Sequence, residues 1–248
     1  MTKTTLIAGC SHAAGSEIDG NEDSEHNRSL SFGNLLSNKL NRKPINIAIA
    51  SATNHTIARS VINYIENVHD KNTELFVVIA WTDSARIEAP IDWINGHAPK
   101  NADWLDESSR NFIRINQGTP IFAKKEEEII EYWKRFCVEQ STWLEIYSLN
   151  LILQIQYYLQ QKNINYIMCN SGYMVRENVH TNHYINLIDT TRFLNLLNTD
   201  NSFIHKYYAL GYKNSKAKYW HHGEEPHKLF AEELYKFMEK QHVYSALV

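Results

Sequence analysis

No apolar run in this chain approaches the roughly 20 residues needed to span a bilayer, so no transmembrane helix is expected. The stretch ahead of Ser11 has one lysine and about six apolar residues, short of a secretory signal core. A basic surplus is also lacking. With 25 Lys and Arg against 28 Asp and Glu, the formal net charge is −3, and nothing points to a nucleic-acid partner. Cysteine is scarce and odd in number: Cys10, Cys137 and Cys169 show no metal-type spacing and no paired framework. Reduced thiols in a cytoplasmic protein are the expectation. His221, His222, Glu224 and His227 crowd one short stretch, but they lack HExxH or CxxC spacing, so no metal is expected.

What is present is a soluble-type composition, 43% hydrophobic and 21% charged, over 248 residues, enough for one α/β domain with a full core. Aromatic residues reach 12%, with 14 Tyr and 6 Trp. A filled core accounts for them more simply than a sugar-stacking cleft. Residues 4–9 form a short apolar run that reads as a first strand, followed by a polar surface loop over 13–28. A helix is expected over 31–40, with Phe32, Leu35, Leu36 and Leu40 at helical spacing. Then come a strand over 46–50, a helix over 56–67 and a second strongly apolar strand over 74–81. Residues 83–123 carry Pro90, Gly96, Pro99, Gly118 and Pro120 together with Trp93, Trp104, Phe112 and Phe122. This reads as a packed cap or an oligomer interface, since structureless connections of that length are uncommon. Residues 124–161 read as helical with an acidic first turn. A strand over 165–170, a helix over 187–197 and a last helix over 224–241, with Pro226 in its first turn, complete the pattern. Strands alternating with helices predict a parallel sheet covered on both faces.

Ligands in such folds bind at the carboxyl ends of the strands, which is where Ser11 falls. A serine hydroxyl is a weak nucleophile without a base. His221, His222 and His227, near the start of the last helix, are the candidates, because that loop returns to the same sheet edge. Taken on spacing alone, a serine after a strand is more simply read as capping a turn or helix, and histidines at a helix start as solvated.

The stretch Leu6-Ile-Ala-Gly-Cys-Ser-His12 resembles the first sequence block of the SGNH (GDSL) hydrolases, in which Gly-Asp-Ser carries the nucleophile; Cys10 stands at the aspartate. His221-His-Gly-Glu-Glu-Pro-His227 and the Ala-Glu-x-Leu that follows are similar to the last block, whose catalytic histidine lies six positions before a second histidine. That register selects His221, or His222 with a one-residue deletion. The family aspartate, three residues before the base, falls on Lys218 and is absent. Asn46-Ile-Ala-Ile-Ala-Ser-Ala-Thr-Asn54 resembles the second block, with Ser51 at the oxyanion glycine, and Ile79-Ala-Trp-Thr-Asp83 the third, with Thr82 at the oxyanion asparagine. Arg86 and Glu88 either meet a substrate anion or pair with each other, and Asn54 and Asn170 either contact substrate or cap turns. Trp81-Thr82 followed by Arg86 is similar to divergent members from phage and bacterial genomes.

The resemblance implies a three-layer α/β/α sandwich with a parallel sheet of about five strands in flavodoxin-like order, a single domain over residues 1–248. It also implies a serine esterase acting on acyl or acetyl esters of a carbohydrate or small molecule, without a cofactor. Ser11 would be the nucleophile and His221 or His222 the base. Ser51, Asn54, Thr82 and Arg86 would serve the oxyanion or the substrate. The alternative is a non-catalytic binding or structural module of the same fold, for example of a phage particle. A transferase using the same serine differs only in its acyl acceptor.

Overall fold

In the computed structural model, residues 2–20, 24–90, 112–115, 131, 141–172 and 175–243 are described. In chain order the elements are β1 (Lys3–Gly9), α1 (Ser11–Ala14), α2 (Glu25–Ser29), α3 (Phe32–Lys39), β2 (Lys43–Asn46), α4 (Asn54–Asn67), β3 (Glu74–Trp81), β4 (Ile87–Pro90) and β5 (Phe112–Ile115). They continue with α5 (Ser141–Gln161), β6 (Asn165–Asn170), α6 (Asn182–Ile185), β7 (Phe193–Leu194), α7 (Phe203–Ala209) and α8 (Glu224–Lys240).

Five strands form one sheet in the order β2-β1-β3-β6-β7, and every neighbouring pair is parallel. This is the doubly wound order in which the chain steps outward in one direction from β1 and in the other from β3. The strand residues alternate between two cores. Leu6, Ala8, Val77, Ile79 and Trp81 pack toward α4 and α5, with Ile57, Val61, Ile152 and Ile155 opposite them. Ile7, Phe76, Val78 and Ala80 face α3, α7 and α8, meeting Phe32, Leu36, Phe203, Phe230 and Leu234. Because both faces are covered, β1 and β3 read as continuous apolar runs rather than alternating ones. The three-layer sandwich and its strand order agree with the expectation. β4 and β5 form a separate antiparallel pair.

Several local expectations are corrected. The polar stretch after Ser11 is not a plain surface loop: it holds α1 and α2, and residues 11–18 are buried. The second strand is Lys43–Asn46 rather than 46–50, although the Ile47 and Ile49 amides still donate to the Ile7 and Gly9 carbonyls. Residues 187–197 are not one helix. They contain a 3₁₀ turn over Thr190–Arg192, the two-residue strand β7 and a turn with Asn195 at a φ of +62°. The apolar spacing there serves the edge of the sheet and the core beneath it. α7 was not anticipated. Most of 83–123, the first part of 124–161 and Cys137 lie outside the described residues.

Candidate active site

Ser11 opens α1 directly after β1. This four-residue helix presses onto the strand so closely that a Cβ on Gly9 would lie 2.5 Å from Ala13 Cβ and 3.0 Å from the Ala80 carbonyl oxygen. A side chain at position 9 would push the turn that carries Ser11 off the sheet. Gly15, at a φ of +77°, ends the helix, and the Ser16 amide donates to the Ser11 carbonyl. Two residues on, Glu17 also adopts a left-handed conformation (φ 59°) and turns its side chain inward, where only 1% is exposed.

What Glu17 meets is the segment leading into α8. Its carboxylate accepts the backbone N–H of Lys218 and of Tyr219, each at 3.0 Å, and lies 2.6 Å from His221 Nδ1. The Asn214 side chain donates to the Glu17 carbonyl at 2.8 Å, and Lys216 pairs with Asp19, so the two loops are joined at several points. Burial alone pushes the Glu17 carboxyl up. The hydrogen bonds from His221, Tyr219 and Lys218 and the nearby imidazole outweigh it, and the group is held below the usual carboxylate range. An ionised carboxylate only accepts, so the proton shared with it sits on Nδ1 and a neutral His221 ring presents an unprotonated Nε2.

The other histidines have different partners. His222 places Nε2 3.0 Å from the Ile204 carbonyl, an acceptor, with a second backbone contact to Tyr212. His227 is buried, accepts the Phe32 N–H on Nδ1 at 3.1 Å and stacks on the Phe32 ring; burial lowers its pKa to about 3. His12 is buried beside Ser11, with its ring centroid 4.9 Å from that of His221 and 5.8 Å from that of Phe203. Burial first, then the charges of His221, Arg86, His222 and His227, push its pKa well below the ordinary histidine value.

At the strand ends, Cys10 Sγ lies 3.5 Å from Ser171 Oγ, and Ser171 Oγ donates to the Trp81 carbonyl at 2.6 Å, which ties β1, β3 and β6 together. Thr82, buried next to Trp81, hydrogen-bonds the Cys10 thiol through its side chain. Burial raises the Cys10 pKa, but the Arg86 charge, Thr82, Ser171 and the His12 backbone together leave it lowered. Asn54, at the start of α4, accepts the Thr82 N–H at 2.9 Å and donates to the Thr82 carbonyl and to Ser148 Oγ, each at 3.1 Å. Its amide is thus engaged in joining α4 to the end of β3. Ser51 is exposed, and its φ of +61° is a left-handed value that a glycine adopts without strain. Arg86 directs its charge at Cys10, His12 and Asp83, while Glu88 is taken by Arg59, Thr53 and Thr56. Asn170 accepts the Gly172 N–H, capping a turn.

Two groups of residues result. Ser11, His12, Glu17 and His221 converge on the α1 turn, linked through the His12 ring and the Glu17 carboxylate; Cys10, Asn54, Thr82 and Ser171 occupy the adjoining strand ends. Glu17 was not singled out from the sequence. The one clue was the missing acid at Lys218, which asked for a carboxylate from elsewhere without saying which.

No family model matches the chain, and no curated protein matches it. Among solved structures, it is similar to the psychrotrophic esterase EstA from Pseudoalteromonas sp., at 12% identity and a TM-score of 0.45, over 96% of this chain and 97% of that one. It is also similar to a lipolytic protein assigned to the G-D-S-L family from Desulfitobacterium hafniense (13%, 0.39, 94% and 99%). The acetyl xylan esterase Est2A from the rumen bacterium Butyrivibrio proteoclasticus aligns over 98% of this chain and 65% of its own length (10%, 0.44). At these identities and TM-scores, none of these likenesses assigns a role to any residue of this chain. No helix among the described residues is long and apolar enough to cross a membrane.

Proposed function

We propose that the chain is a serine ester hydrolase of SGNH type, with Ser11 as nucleophile and His221 as base. The observation that supports this most directly is the docking of the 218–221 segment onto the turn that carries Ser11. It leaves His221 Nδ1 on a carboxylate and sets its ring 4.9 Å from that of His12, the next residue after the serine. His222 and His227 have backbone partners instead.

In this reading Ser11 Oγ attacks an ester carbonyl while His221 Nε2 takes its proton and passes it to the departing alkoxide. Water then cleaves the acyl-serine by the same relay. The Ser11 and Ser51 amides and Thr82 would receive the oxyanion, with Asn54 holding Thr82 in place and Arg86 adding positive charge at the strand ends. Small acyl esters, including acetyl esters of carbohydrates, are the substrate class to test.

The test is covalent labelling by a fluorophosphonate. Wild type is expected to label, and Ser11→Ala to abolish labelling. His221→Ala should slow it about 10²–10⁴-fold, the usual contribution of a general base, while His222→Ala should act mainly on stability. Absence of labelling in folded wild type would overturn the esterase reading in favour of a binding module.

A further inference from the structure

We propose that Glu17 is the acid of this site, a positioning residue that holds His221 in the tautomer able to accept the Ser11 proton. This rests on the Ser11–His221 reading above. The register that the resemblance implies puts Lys218 where an orienting aspartate would stand. In space, a carboxylate is nevertheless there: Glu17, 204 positions away in the chain, caps the amides of Lys218 and Tyr219 and reaches His221 Nδ1 at 2.6 Å. The acid therefore arrives from the nucleophile's own loop rather than from the base's.

Three features set Glu17 apart from a carboxylate that merely joins two loops. It is 1% exposed, whereas Asp19, two residues on, makes its ion pair with Lys216 in the open. Its backbone lies in the left-handed region, which strains a non-glycine residue and persists only where the surroundings enforce it. Both of its oxygens are engaged, Oε1 by Lys218 and Oε2 by Tyr219 and His221, so the carboxylate cannot rotate without losing partners. A fixed carboxylate on Nδ1 holds the proton there and leaves Nε2 unprotonated for the serine, the same division of labour that a buried aspartate performs in serine proteases.

Glu17→Gln separates the roles. An amide has one acceptor oxygen for three donors, and an NH2 group facing Nδ1 favours the Nε2–H tautomer, which cannot take the Ser11 proton. Ester turnover, or the rate of fluorophosphonate labelling, is expected to fall about 10³–10⁴-fold with KM nearly unchanged, as when the acid of such a triad becomes an amide. Glu17→Asp, shorter by one methylene, should recover part of the loss. Nitrogen-15 NMR of the neutral ring should show His221 as the Nδ1–H tautomer in wild type and as Nε2–H in Glu17→Gln. A wild-type His221 in the Nε2–H form overturns the proposal whether or not the variant folds. Glu17→Gln labelling within about tenfold of a wild type whose Ser11→Ala is silent overturns the role of Glu17 alone. A folded wild type that does not label overturns the Ser11 reading and this role with it.

Discussion

At the scale of single residues, the site depends on positions where a small or contorted residue lets two segments meet. Gly9 is the clearest case. It has no side chain because α1 lies within contact of β1 and β3 there, and any Cβ would strike Ala13 or the Ala80 carbonyl. Gly9→Ala is expected to destabilise the protein by about 1–3 kcal/mol, the usual cost of overpacking, and to lower the rate of Ser11 labelling more than a comparable substitution remote from α1. Urea unfolding and labelling of the same sample check both; an unchanged midpoint would refute the close approach. Ser51 and Glu17 show the opposite device, a side chain kept in a left-handed backbone conformation. Glycine at the second block of the resemblance is replaced by Ser51, yet the backbone keeps a conformation suited to glycine. Nothing in the residue type announces this, because the demand comes from the turn between Ile49 and Ala52.

Among the elements, long regular segments were legible and short ones were not. Residues 56–67 show helical apolar spacing, and the structure extends that helix back to Asn54, where Thr53 caps it by accepting the Thr56 N–H. α8 begins at Glu224, with Pro226 in its first turn and Phe230, Leu234 and Met238 on its buried side. By contrast, β7 has two residues and α1 four, too few for any periodicity to register. The expected helix over 187–197 failed because its apolar residues are split among the turn after α6 (Leu187, Ile188), the edge strand β7 (Phe193, Leu194) and the turn beyond it (Leu196, Leu197), with the polar 3₁₀ turn Thr190–Arg192 between them. Contacts between elements also explain Asn54, whose amide joins α4 to the residue after β3. Asn54→Ala leaves the buried Thr82 N–H and carbonyl without that partner. It is expected to cost about 1–3 kcal/mol, the penalty for orphaned buried polar groups, with Ser11 labelling reduced only to the extent that Thr82 shifts. Thermal unfolding checks the first part, and a loss below 0.5 kcal/mol would mean the clamp is dispensable.

For the molecule as a whole, three histidines are buried in and behind the site, and burial is the leading cause that lowers each pKa: His12, His222 and His227. The sign follows directly. In the unfolded chain a histidine takes up a proton near pH 6.5, while folded His227 resists until about pH 3. Between those values the unfolded state binds more protons, so its stabilisation is fully present above pH 6.5 and is lost as the pH falls toward 3. One such histidine contributes a slope of up to about 1.4 kcal/mol per pH unit. Urea unfolding at pH 7, 6 and 5 is expected to show that decline. His227→Asn, which keeps an acceptor for the Phe32 N–H but cannot titrate, should make it shallower, leaving the part due to His12 and His222. A wild-type stability independent of pH over this range would show that His227 is solvated and not the buried cap of α3.

The sequence by itself determined the layered parallel fold, because apolar runs of strand length alternating with amphipathic helices can bury their surfaces in few other ways. It also placed Ser11 at a strand end and His221 ahead of the last helix, since both lie next to recognisable elements. Only the tertiary structure decided which histidine meets a carboxylate and which carboxylate that is. His221 and His222 are adjacent in sequence, yet they face Glu17 and the Ile204 carbonyl respectively. Glu17 finds its partners some 200 residues away, through a backbone turn that no local pattern encodes. Periodicity reports what a residue's own element buries; pairings between loops are set by how the elements pack, and they exist only once the sheet has brought its strand ends together.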